Sequence, residues 1–187
     1  MKSALLIIDM QNDFILPEAP AEVPGAMKIV PKVKKLLEFC RARKIPVFHV
    51  IRQYRYDGSD IENFRREGFL NRGRYLLPGT PGAEIIDELK PAEGEYVIVK
   101  PRFSAFFCTE LELILKRIKT DDIVICGVQY PNCIRATALD SVSYDYSTTV
   151  ITDATAGADD EIEVSNIRDL RNIGIKCLTF AEWSRQI

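Results

Sequence analysis

A chain of 187 residues is long enough to enclose one sizeable core, and nothing along it reads as a linker or repeat, so a single domain over residues 1–187 is expected. The balance of 47% hydrophobic and 28% charged residues is that of a globular protein in water. A net charge of −2 without any basic block argues against a nucleic-acid partner, and no apolar run approaches the roughly 18 residues a membrane span needs.

Taken in order, short β-branched runs alternate with helical stretches. Ala4 to Ile8 reads as a first strand ending at Asp9. Its apolar run is too short for a signal peptide and ends in an acid, so a cytoplasmic location is expected. Gly25 to Lys44 carries Val33, Leu36, Leu37 and Cys40 at helical spacing. Val47 to Ile51 is the next apolar run and contains His49, the only histidine, whose place inside that run fits a hydrogen-bonded core residue. The stretch from Arg52 to Glu95 breaks the rhythm. A long irregular segment in a compact domain is usually functional, as a cover over a site or a subunit contact. Strands are expected again at Tyr96 to Val99, Ile123 to Cys126, Thr149 to Thr152 and Lys176 to Thr179. Helices are expected at Thr109 to Lys119, Asn132 to Tyr146 and Asp159 to Asn172, the last opening on acids that suit a helix N-terminus. Strand–helix alternation with near-continuously apolar strands predicts an α/β fold built on a mainly parallel sheet, with ligands at the carboxyl ends of the strands.

The five cysteines are odd in number and form no CxxC, and with one histidine there is no zinc-spaced cluster. Cys133 stands apart. It follows a buried-strand pattern by one turn and precedes a helical stretch, where the positive end of the helix dipole lowers a thiol pKa from about 8.5 and backbone N–H groups can hold an oxyanion. Asp9 and Lys100 lie at two other strand ends. If those strands are close, a thiol nucleophile, a carboxylate to carry its proton and an ammonium to stabilise both converge on one sheet edge.

The residues that surround this set resemble the isochorismatase-like cysteine hydrolases, a family that includes nicotinamidases, N-carbamoylsarcosine amidase and ureidoacrylate amidohydrolases. Leu5-Leu6-Ile7-Ile8-Asp9-Met10-Gln11-Asn12-Asp13-Phe14 is similar to the family's opening. Lys100 followed by Ser104-Ala105-Phe106 is similar to its lysine motif. Cys126-Gly127-Val128, Cys133 and Ala136-Thr137-Ala138 resemble its nucleophile motif, and Asp153-Ala154 its next strand end. The resemblance implies a three-layer, Rossmann-like fold with a six-stranded sheet, the triad Asp9, Lys100 and Cys133, a cis peptide between Val128 and Gln129, and an oxyanion hole from the N–H groups of Gln129 and Cys133. Nicotinamidases carry an Asp-x-His metal pair after the second strand, and the corresponding places hold Gln53 and Arg55, so neither a metal nor another cofactor is expected.

The implied activity is hydrolysis of a C–N bond in a small amide or carbamoyl compound through a thioester, with ammonia released. Arg52, Arg55 and Arg102 crowd the expected rim and could pair with a substrate carboxylate. Phe14, Tyr54, Phe103 and Tyr130 could form apolar walls. Tyr130 and Pro131 stand where smaller or polar residues are usual. Competing readings are a non-catalytic binding protein on the same fold and a redox protein using Cys133. A dinucleotide oxidoreductase is disfavoured, because no GxGxxG follows the first strand. The Arg/Tyr-rich irregular segment makes a homodimer or homotetramer the expected assembly.

Overall fold

The computed structural model describes residues 2–187. The apolar runs become β1 (Ser3–Ile8), β2 (Val47–Arg52), β3 (Tyr96–Lys100), β4 (Asp122–Val128), β5 (Ser147–Ala156) and β6 (Lys176–Leu178). They form one sheet in the order β3-β2-β1-β4-β5-β6, and every pairing is parallel. The helices are α1 (Asn12–Ile15), α2 (Ala26–Ala42), α3 (Asn63–Arg72), α4 (Leu111–Arg117), α5 (Arg135–Ser143), α6 (Asp160–Asn172) and α7 (Phe180–Ser184).

Because side chains alternate along a strand, the sheet has two apolar faces and the helices divide between them. Leu5, Ile7, Val124 and Cys126 pack beneath α2, against Val33, Leu36, Leu37 and Cys40, with Phe180 and Trp183 of α7 alongside. Leu6, Ile8, Val50, Ile98 and Ile125 face the other way, against Leu111 and Leu115 of α4, Ala138 of α5 and Leu170 of α6. Local signals set the ends of two helices. The Asp159 side chain accepts the N–H of Ile162 at 2.8 Å, and Thr179 and Glu182 form a capping box before α7. Each such cap contributes about 1 kcal/mol.

Three expected elements come out differently. The stretch from Arg52 to Glu95 is ordered rather than open: it holds α3 and short 3-10 turns at Pro81–Ala83 and Asp87–Leu89. Its Phe69, Leu76, Ile86 and Leu89 are buried in the α2-side core, which gives this segment the apolar anchor that its composition conceals. The helix expected from Asn132 begins at Arg135, because Tyr130–Ile134 form a π turn instead. β5 runs on to Ala156 through a register shift opposite Ile125 and Gly127. Gly127 itself has φ +109°, and a Cβ on it would lie 2.2 Å from the Ile8 carbonyl oxygen, so β4 can run this close to β1 only without a side chain there.

Candidate active site

The strand order turns outward in both directions from β1 and β4, and the crevice at their carboxyl ends is where an open parallel sheet binds its ligands. Asp9 is the first residue past β1. Its N–H donates to the Val50 carbonyl at 2.8 Å and its φ is +53°, a left-handed conformation that is sparsely populated for residues other than glycine. Lys100 is the last residue of β3 and the direct register partner of Arg52, the last residue of β2. Both follow the alternation of Val50 and Ile98, so both stand on the α4–α6 face of the sheet. The π turn after β4 delivers Cys133 to the same place.

The structure brings Asp9, Lys100 and Cys133 together, although β2 lies between β3 and β1. Lys100 Nζ donates to Asp9 Oδ2 at 2.8 Å and lies 3.4 Å from Cys133 Sγ, and it also donates to the Arg102 carbonyl at 3.3 Å. The long lysine stem spans the gap across β2. Lys100 is fully buried, Asp9 is 1% exposed and Cys133 is 6% exposed. Asp9 Oδ1 is buried with no hydrogen-bond partner among the described residues, which leaves one carboxylate oxygen free to accept a proton.

The electrostatics differ from the expectation of a thiol pKa lowered by a helix dipole. Burial pushes the Cys133 thiol up, and the Asp9 carboxylate pushes it further, while Lys100 and Arg52 oppose them. The resting thiol therefore keeps its proton, and the carboxylate that destabilises the thiolate is also the group that can take that proton. The cis peptide between Val128 and Gln129 is present. The Gln129 carbonyl accepts the N–H groups of Asn132 at 3.3 Å and Ile134 at 3.2 Å, so Gln129 and Cys133 sit within one tight turn.

The residues expected on the rim divide. Arg52 is fully buried: Nη1 donates to Tyr54 Oη at 2.8 Å and to Glu62 Oε1 at 2.5 Å, and Nη2 approaches Cys133 Sγ at 3.4 Å. Burial works against its charge, but Cys133, Asp9, Tyr54 and Glu62 outweigh that and hold the guanidinium more firmly protonated than usual. Glu62 is correspondingly held below the ordinary glutamate range by Arg52 in spite of its burial. Tyr54 is less a wall than an anchor, its hydroxyl donating to Glu62 at 2.9 Å. Phe103 lies beside this group, its ring 5.4 Å from the Arg52 guanidinium and 5.2 Å from that of Arg65. Arg102 turns its guanidinium to the carbonyls of Asp60 and Pro101 rather than to the thiol. Arg55 is exposed.

Two further expected walls do not stand. Tyr130 has no exposed surface and belongs to the core beneath α6, and Phe14 belongs to the cluster on the opposite, α2 side. Both are large apolar side chains that the core recruits. Glu62 was not anticipated at all. It lies in an irregular segment with no periodicity to mark it, and the single hint was Arg65 three residues on.

Metal ligation does not fit these residues. Among the described residues no cluster of three or more His, Cys, Asp or Glu side chains is arranged to hold an ion. His49 donates or accepts through Nε2 with Glu95 at 2.8 Å inside β2, with burial lowering its pKa, and Glu95 is shared with Arg41. A cleft of about 720 Å³ opens near Asp153, Thr155 and Asp159, and none of the three converging residues lines it.

Comparison with known proteins places this geometry. The pattern of the Isochorismatase domain matches residues 3–182. A protein of Arabidopsis thaliana named a probable inactive nicotinamidase is 47% identical over 188 residues, spanning 99% of this chain and 96% of that protein. The crystal structure of an isochorismatase family protein from Desulfovibrio vulgaris superposes with a TM-score of 0.96 at 48% identity, over 98% of this chain and 97% of that one. N-carbamoylsarcosine amidase from Thermoplasma acidophilum superposes with a TM-score of 0.80 at 31% identity, over 96% of each chain. With its family pattern, its parallel sheet and its strand-end cluster all in agreement, the chain belongs to the isochorismatase family.

Proposed function

We propose that this protein is a metal-independent cysteine amidohydrolase that cleaves the C–N bond of a small amide or carbamoyl compound. The observation that carries this reading is Lys100 Nζ lying 2.8 Å from Asp9 and 3.4 Å from Cys133 in a nearly solvent-free crevice. In the reaction, the Cys133 proton passes to Asp9 as sulfur forms a bond to the carbonyl carbon. The N–H groups of Gln129 and Cys133 receive the oxyanion. Asp9 returns the proton to the leaving nitrogen, the C–N bond breaks, and ammonia departs from a thioester. Asp9 then takes a proton from water, whose oxygen attacks the thioester carbon, and the thiol is regenerated with release of the acid.

The slight exposure of Cys133, 6%, suits a small substrate. A substrate carboxylate would find Arg52 already paired with Glu62, whereas Arg102 is held by neutral carbonyls and has no carboxylate partner among the described residues. Its guanidinium is nevertheless turned to those carbonyls and not to Cys133, so neither arginine, as placed, offers a free fork to a substrate carboxylate at the thiol. A homo-oligomer remains part of this proposal: β3 is an edge strand, and Val97 and Val99 are exposed on it.

A panel including nicotinamide, N-carbamoylsarcosine and other ureido acids, assayed for ammonia, tests the activity. Cys133→Ala is expected to lower the rate by about a thousandfold or more, while prior treatment with a chelator leaves it unchanged. Absence of ammonia from every compound, with no acyl adduct on Cys133 by intact mass, would favour instead a non-catalytic protein on the same fold.

A further inference from the structure

Arg52 and Lys100 are direct neighbours on adjacent strands, on one face of the sheet and both without exposed surface. Two like charges placed this way repel each other, and in a buried setting the repulsion is little screened. The fold accepts the arrangement by setting a carboxylate beside each, Asp9 on Lys100 and Glu62 on Arg52. Neutralisation alone does not explain the geometry. Glu62 and Tyr54 take only Nη1 of the guanidinium, while Nη2 is directed to the thiol sulfur at 3.4 Å, the same separation as Lys100 Nζ. The charged groups thus run Asp9, Lys100, Cys133, Arg52, Glu62, with the sulfur between two cations.

We propose that Arg52 is a second catalytic cation for Cys133, stabilising the thiolate alongside Lys100, and that Glu62 is a positioning residue that sets how much of the Arg52 charge the sulfur feels. This rests on reading Cys133 as the nucleophile. When the proton moves from Cys133 to Asp9, the net charge of the five groups stays at zero. The thiolate is left between Lys100 and Arg52 while the nearest carboxylate has become neutral. Arg52 is consequently committed to the sulfur and does not serve as the anchor for a substrate carboxylate.

The rate at which iodoacetamide alkylates each cysteine, followed by mass spectrometry across a pH series, tests this, with the exposed Cys108 as internal reference. Arg52→Gln is expected to raise the pH midpoint for Cys133 by about one unit, a tenfold loss of reactivity below it. Arg52→Lys is expected to recover part of that shift. Glu62→Gln is expected to move the midpoint down, because it removes the charge that offsets Arg52. Opposite signs from the two neutral substitutions support the proposal, since a merely structural pair would shift both in one direction or neither. Shifts in the same direction, or an unchanged midpoint in Arg52→Gln alongside a shifted one in Lys100→Ala, overturn it. If Arg52→Gln does not fold, Glu62→Gln decides alone: a downward shift supports the proposal, and no shift or an upward one overturns it. A wild-type Cys133 no more reactive than Cys108 at any pH, and indifferent to Lys100→Ala, would instead remove the nucleophile reading on which the proposal rests.

Discussion

At the scale of single residues, Asp9 has two opposed effects. As a carboxylate it raises the thiol pKa, and as a base it removes the thiol proton. The two can be separated. Asp9→Asn preserves the shape and tolerates the left-handed backbone, since asparagine visits that region more readily than most residues. It is expected to lower the pH midpoint for Cys133 alkylation while cutting ammonia release by about a thousandfold, measured on the same preparation. Asp9 and Lys100 were legible in the sequence because each ends an apolar run, Cys133 because it follows one by a turn, and the family resemblance joined the three. Glu62 was not, because it reaches the site from an irregular segment and its role depends on a partner ten residues earlier in the chain. Tyr130 misled for the reverse reason. Adjacency in sequence to a nucleophile says nothing about which way a side chain points, and an apolar core beneath α6 claims a tyrosine readily.

Among the elements, β2 combines two polar tasks in a strand that is otherwise core. Its last residue carries Arg52 to the thiol, and its middle residue His49 pairs with Glu95, which also holds Arg41 of α2. This second cluster ties the edge of the sheet to a helix and should govern acid stability. The Glu95 carboxyl is pushed down to about 2, burial notwithstanding, by its bonds to Arg41, the Ala92 N–H and His49. Its contribution is complete above the ordinary glutamate pKa of about 4.3 and lost as pH falls toward 2. His49 is held neutral by burial, so its contribution is present above about 6.5 and declines as pH falls below that. Urea midpoints should therefore fall in two stages on acidification, and Glu95→Gln should flatten the lower stage. Strand and helix identities were legible from periodicity. The π turn at Tyr130–Ile134 was legible only as a turn as far as Asn132, because Cys133 and Ile134 blend into the helix that follows.

For the whole molecule, parallel pairing followed from strand–helix alternation, whereas the order of the strands is set by tertiary packing that leaves no mark in the sequence. The long connection from β2 to β3 reads as a loop by composition and folds as a buried layer, since the apolar residues that anchor it are spread thinly over more than forty positions. Assembly belongs to this scale. If copies associate through the β3 edge, sedimentation should show a species heavier than 21.2 kDa, and Val97→Lys with Val99→Lys should reduce it to the single chain.

The position of Lys100 ties this edge to the chemistry. β3 is hydrogen-bonded to a neighbour on one side only, and Lys100 is its final rung. Strand ends at a sheet edge open far more often than the centre does. A brief fraying of one residue pair would withdraw the ammonium from both Asp9 and Cys133 while the core remained closed. Heat should thus silence this protein before it melts it, and whatever grips the rim of β3, a subunit or a ligand, would lengthen its working life without adding anything to the crevice itself.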